Sequence, residues 1–276
     1  MAATLTLLTD FGSDAGYGGA MVGAMLRVDP RLRVEVITHG VPPGDIGAGA
    51  YWLAACAPAF PTGTVHCAVV DPGVGSDRPL VAAVVDGQLV VAPDNGLLHF
   101  LWQRGRQRQA VRVDQKPHLP AELSGTFHGR DLIGPLAARL ALGQLRLEGL
   151  GAKLPSPALL PRLLPEGDAA GTTATVVLVD HFGNVILAVA RTPWYTPLPA
   201  GVSLQDGRRV TRLVTSYHEI SDGLALLWNS AGHLEIAGDR VSAAAELGLR
   251  PGDQVRVAWA AQPAPGGGRP VGATAP

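Results

Sequence analysis

The residues able to do chemistry in this chain gather where apolar runs stop. In "VVDPGVGSDRP" the run Val65–Val70 ends on Asp71. Pro72, Gly73 and Gly75 follow, and Arg78 arrives seven positions after the carboxylate. A turn rich in proline and glycine can fold back on itself and set the guanidinium beside the acid as a two-point fork. Asp10 closes another apolar run in "LLTDFGS", Asp94 and Asn95 follow a third in "APDNGLL", and His128, Arg130 and Asp131 open a helical pattern in "GTFHGRD". Carboxylates, an imidazole and a guanidinium at strand ends suit proton removal from a small nucleophile and the holding of hydroxyl donors. Singly, each has a plainer role. Asp10 fits a turn, Asp94-Asn95 tolerates unusual backbone angles, a lone histidine more often packs than reacts, and Arg130-Asp131 reads as a local pair plus helix cap. What gives them weight is convergence on one sheet edge, because open α/β sheets bind ligands beyond the carboxyl ends of their strands.

Familiar site motifs fail. Neither "GVGSDR" nor "GYGGAM" completes a dinucleotide glycine pattern, no phosphate-binding loop is present, and Ser76 does not sit in a nucleophile elbow. Asp10, Asp71, Asp94 and His128 could in principle hold a divalent ion, but no histidine spacing supports one and no metal or cofactor is expected. Cys56 and Cys67 lack a paired spacing and read as two buried thiols of a reducing cytosol rather than a disulfide.

Strand and helix must alternate to carry these residues. Thr4–Leu8, Val34–Ile37 and Val65–Val70 read as strands. "YGGAMVGAMLRV" and "DIGAGAYWLAACA" read as helices, the second capped by Asp45, and "LIGPLAARLALG" as a third capped by Asp131. Asp86-Gly87 between two apolar runs predicts a tight hairpin. Residues 1–155 are therefore expected to form an α/β domain, a mostly parallel sheet flanked by helices. The stretch 156–170 is proline-rich and reads as a linker. Residues 171–260 hold short strands between turn residues and predict an all-β domain, a small antiparallel barrel or sandwich. The tail 261–276 is expected to be disordered.

Composition is consistent with this. The chain has 276 residues, is 47% hydrophobic and 16% charged, and carries a net charge of −1, so it has the means for a core but no electrostatic footprint for nucleic acid or an acidic membrane. The start "MAATLTLLTDFG" lacks a basic leader and no apolar run approaches the roughly 20 residues of a membrane span, so a cytoplasmic protein is expected.

Taken in order, "LLTDFG", "VVDPGVGSDR", "APDNGLL", "TFHGRD", "VDHFGNVIL" and "WNSAGHLEIA" resemble the S-adenosylmethionine hydrolase family, the SAM hydroxide adenosyltransferases related to fluorinase and chlorinase. The resemblance runs from about Thr4 to Val257. It implies an α/β domain joined to an all-β domain, a homotrimer, and a substrate held between the first domain of one subunit and the second domain of its neighbour. The implied reaction is SAM plus water giving adenosine and L-methionine. The sulfonium is already a good leaving group, so the site must hold one water in line with the ribose C5′. The implied water-handling trio is Asp71, Arg78 and His128. Asp10 is the implied ribose contact, Asp180 the ammonium contact, Asn184 the adenine contact and Ser230 the carboxylate contact, with Phe182 and Tyr217 as adenine walls. Without the resemblance, Asp180 and Asn184 would read as a plain hairpin turn. The halogenases carry a tyrosine at the position of Asp71, where a carboxylate would repel halide. The fluorinase also has a serine where this chain has Gly129. The chain departs from the fluorinase at Gly44, where a tryptophan packs on substrate, at Ala231, where an arginine follows the serine, and at Ala188, where an asparagine is expected. A SAM- or adenosine-binding sensor with little catalysis is the alternative of a different class.

Overall fold

A computed structural model describes residues 3–168, 170–191 and 198–260. The tail 261–276, expected to be disordered, lies outside the described residues. The first unit builds one seven-stranded sheet. Its strands are β1 (Thr4–Thr9), β2 (Arg33–Thr38), β3 (Val65–Val69), β4 (Leu80–Val85), β5 (Gln88–Pro93), β6 (Arg108–Val113) and β7 (Gly151–Leu154), in the order β2-β1-β3-β5-β4-β6-β7. Only the pairings among β2, β1, β3 and β5 are parallel. Those of β5 with β4, β4 with β6 and β6 with β7 are antiparallel, so the expected mostly parallel sheet is half antiparallel. The cause is local. A parallel pairing needs a long crossover, whereas Asp86 (φ 48°) and Gly87 (φ 82°) reverse the chain in two residues and commit β4 and β5 to opposite directions.

Four helices cover the sheet: α1 (Tyr17–Val28), α2 (Ile46–Cys56), α3 (His99–Arg104) and α4 (Gly134–Ala141). The central strands are apolar on both faces, as buried parallel strands must be. Leu5, Leu7, Cys67 and Val69 meet Met21 and Met25 of α1 and Leu136 of α4 on one face. Leu8, Ala68 and Val70 meet Leu53 of α2 and Phe100 of α3 on the other. As expected, Asp45 caps α2, its carboxylate accepting from Ala48 N at 3.0 Å. Both cysteines are free thiols.

The second unit contains β8 (Glu166–Asp168), β9 (Gly171–Val179), β10 (Val185–Ala190), β11 (Pro199–Ser203), β12 (Arg209–Val210), β13 (Leu224–Trp228), β14 (His233–Gly238), the short helix α5 (Ala243–Leu247) and β15 (Gln254–Trp259). The path β12-β11-β15-β9-β10-β14-β13 is antiparallel, and β8 adds to β9. Its two ends nearly meet, because Leu226 N donates to Arg212 O at 2.7 Å and Val214 N to Leu226 O at 2.9 Å. The sheet is thus a nearly closed barrel. Val177, Leu178, Ile186 and Ala188 from it join the α2–α3 side of the first core, so the two units share buried apolar surface. The connecting stretch is tied down by Ala158 N on Asp94 (2.6 Å) and Leu160 N on His99 Nδ1 (3.1 Å). Among the described residues no helix is long and apolar enough to cross a membrane.

Candidate active site

β1 and β3 are parallel neighbours with Thr9 opposite Val69, so Asp10 and Asp71 leave the sheet at the same edge. The fold-back predicted for the turn is present. Arg78 Nε donates to both carboxylate oxygens of Asp71 at 2.7 Å each, and Nη2 makes a further bond to Oδ2. The Asp71 side chain is 5% exposed and that of Arg78 11%, so the pair is largely out of water. Gly75 makes the turn feasible. Its φ is +84°, and a Cβ there would stand 2.3 Å from the Gly125 carbonyl oxygen. Only glycine therefore lets this turn lie against the loop that leads into His128. Asn95 adds a second restraint, its amide donating to Val70 O at 2.8 Å one residue before Asp71. The polar turn "PDNG" thus serves the strand end and the connecting stretch.

His128 is buried, and its Nδ1 has no hydrogen-bond partner among the described residues. The same holds for Arg78 Nη1. Burial and the Arg78 charge push the His128 pKa below the ordinary histidine range, against the opposing pull of Asp71 and Asp131. The three side chains therefore share one local field. Gly129 sits on the wall of this region: a Cβ there would contact Phe11 and Val69 at 3.4 Å. Phe11, Tyr17 and Phe127 stack edge-to-face around it. Asp131 does not cap the following helix. It lies inside a π-helical turn, Gly129–Ile133, that precedes α4, and it accepts from Arg130 (2.6 and 2.9 Å) and from Ser124 N (3.0 Å). The local pair with Arg130 is real; the cap is not, because the helix has already begun. Asp10 accepts from Gly44 N at 2.8 Å through Oδ2. Gly44, which replaces a bulky wall in the fluorinase resemblance, here anchors that carboxylate.

The remaining candidates lie on the second unit. Asp180 accepts from Phe182 N (2.9 Å), Asn184 N (2.8 Å) and Asn184 Nδ2 (3.0 Å), a side-chain turn between β9 and β10 that fixes Asn184. Phe182 is 77% exposed and Tyr217 54% exposed, so both present rings to the surface. Glu235 was not singled out in the sequence, yet it organises this group. It is buried on β14 and accepts from the Tyr217 hydroxyl at 2.7 Å. Burial raises its pKa, while hydrogen bonds from Tyr217 and Asn229 oppose the rise. Asn229 also donates to the Tyr51 hydroxyl at 3.1 Å, linking the group to α2. Ser230 lies in the β13–β14 turn, directly after the Asn229 whose side chain serves Glu235.

Among the described residues no hydrogen bond joins the Asp71 group to the Asp180 group, and no cluster of three or more His, Cys, Asp or Glu could hold a metal ion. The first group can orient and deprotonate a small nucleophile. The second can hold a flat ring and amine or amide donors.

Comparison with known proteins finds domains of one family along the chain. The SAM hydroxide adenosyltransferase N-terminal domain matches residues 5–151 and the corresponding C-terminal domain residues 174–256. The (R)-S-adenosyl-L-methionine hydrolase of Salinispora tropica is 41% identical over 92% of this chain and 97% of its own length. The enzyme of the same name from Thermus thermophilus is 37% identical over 91% and 97%. The crystal structure of an uncharacterized conserved protein from Thermotoga maritima superimposes with a TM-score of 0.79 at 28% identity, covering 92% of this chain and 99% of that one.

Proposed function

The chain belongs to the SAM hydroxide adenosyltransferase family, and on that premise we propose that it hydrolyses S-adenosyl-L-methionine to adenosine and L-methionine. The observation that carries the mechanism is the buried Asp71–Arg78 fork together with His128, whose buried Nδ1 has no partner among the described residues. A water between Asp71 and His128 is a donor facing two acceptors, and either can take its proton as the water attacks C5′. Arg78 fixes the carboxylate in one orientation and favours developing hydroxide. The bond from water oxygen to C5′ forms as the C5′–sulfur bond breaks, methionine leaves as a neutral thioether, and the proton goes to the Asp71–His128 pair. Positioning and desolvation supply most of the acceleration, so no metal or cofactor is required. A carboxylate at position 71 works against a halide nucleophile by like-charge repulsion.

Substrate contacts follow the two groups. Asp10, held by Gly44, takes the ribose hydroxyls. Asn184, held by Asp180, reads the adenine edge between Phe182 and Tyr217. Ser230 meets the amino-acid end, and Asp180 adds negative charge for the ammonium. Following the family resemblance, which implies a substrate held between the first unit of one subunit and the second unit of its neighbour, we assign the complete site to the junction of two copies in a homotrimer. Purified protein incubated with SAM and EDTA should release adenosine and methionine, resolved by chromatography. A folded protein with no turnover would refute the reading, and loss of turnover on chelation would refute its metal independence.

A further inference from the structure

The β13–β14 turn borders a cleft of about 840 Å³ between the two units, whose lining includes Arg104, Arg108 and Arg191 with Ser230 and His233, and no acidic side chain. The three arginines are not equivalent. Arg104 gives Nη1 to Ala54 O at 2.7 Å. Arg108 gives Nη1 to Trp102 O at 2.7 Å and stacks over that ring. Arg191 is held differently. Its backbone N–H donates to Gly232 O at 2.8 Å and its guanidinium lies over the Trp228 ring at 5.1 Å, while among the described residues no carboxylate pairs with it. The Trp228 indole N–H is itself buried without an acceptor. The surroundings of Ser230 are therefore rich in donors and short of acceptors. A guanidinium stacked on an aromatic face keeps its N–H edge free in the plane, the geometry that grips a carboxylate at two points.

We propose that Arg191 is the clamp for the methionine carboxylate of the substrate, with the Ser230 hydroxyl as the second donor. The proposal rests on the reading of S-adenosyl-L-methionine as substrate. That molecule has one anionic group, its carboxylate. A cleft bearing three guanidiniums attracts that group, and Arg191 is the one whose N–H edge is not already given to a backbone carbonyl. Arg191 also supplies the charge that Ala231 lacks. The antiparallel pairing of Ala190 with His233 carries Arg191 to Gly232, one residue from Ala231.

The test compares SAM with its decarboxylated analogue on wild type, Arg191→Met, Arg191→Gln and Arg191→Lys. Calorimetry of methionine against 3-(methylthio)propylamine runs in parallel, and thermal unfolding checks the fold of each variant. Wild type should favour the carboxylate-bearing substrate by about 10- to 100-fold in KM at similar kcat, in line with a charge-assisted fork. Arg191→Met or Arg191→Gln should erase that preference through KM alone, and Arg191→Lys should restore part of it. A neutral variant that discriminates as strongly as wild type overturns the assignment, as does a wild type indifferent to the carboxylate. If wild type turns over no SAM, the functional reading fails by itself. The calorimetric arm then decides the clamp, which stands if methionine binding requires Arg191 and falls if it does not.

Discussion

Removing the Asp71 carboxylate separates the structural from the chemical role of its ion pair. Asp71→Ala leaves the Arg78 guanidinium with its main partner gone in a region where the two side chains are 5% and 11% exposed and Arg78 Nη1 already lacks an acceptor. Stripping one member from a buried pair costs about 3–5 kcal/mol. In a chain of this size that lowers the thermal midpoint by roughly 6–15 °C. Replacing both members with apolar residues of similar volume, Asp71→Leu with Arg78→Met, removes the uncompensated charge and should return stability to within about 1 kcal/mol of wild type. Turnover should not return with it. Loss of a positioned base typically costs about 10²- to 10⁴-fold, and both variants should show that loss in adenosine release followed by chromatography. A single variant as stable as wild type would refute the burial argument. A double variant with restored turnover would refute the catalytic one.

Three further outcomes follow. Gly75→Ala should cost about 100-fold in kcat, read in steady-state assays, because its Cβ must displace the Gly125 carbonyl now 2.3 Å from that point and moves the turn relative to His128; unchanged kcat would show that the contact is not needed. His66 and His233 are buried, and burial depresses both to about 4. The unfolded chain therefore binds more protons below about 6.5. Stability should be fully present above about 6.5, fall by a few kcal/mol as pH drops to about 4, and level off below that; a thermal midpoint constant from pH 7 to 4.5 would contradict this. Asn184→Ala should raise KM for SAM about tenfold with kcat little changed, whereas a pure kcat effect would move Asn184 from adenine binding to chemistry.

Much of the first unit was legible because its signals are local. The α1 span Tyr17–Val28, the Asp45 cap and the Asp86-Gly87 hairpin all follow from spacing over a few residues. What escaped is non-local or short. The helix α3 has six residues, too few to show a period, and β6 and β7 are defined by partners far along the chain. The half-antiparallel sheet has the same origin, since periodicity locates strands but not their neighbours. The Asp71–Arg78 fork was readable from a carboxylate, a proline and glycine turn and a guanidinium seven residues on. Glu235 was not. Between Leu234 and Ile236 it looks like the solvent-facing alternate of a half-buried strand, and only the Tyr217 hydroxyl folded over it reveals a buried polar group. Asp131 erred the other way, since a helix cap and an in-helix ion pair share one sequence signature.

The central claim is that water, not a halide or a metal-bound group, attacks C5′ of S-adenosyl-L-methionine in a site served by Asp71 and His128. Turnover in heavy-oxygen water, with EDTA present and the products weighed by mass spectrometry, tests it directly. The account predicts adenosine carrying one heavy oxygen at its 5′ position and methionine carrying none. Unlabelled adenosine, label in methionine, or a 5′-halogenated product in the presence of chloride would contradict it.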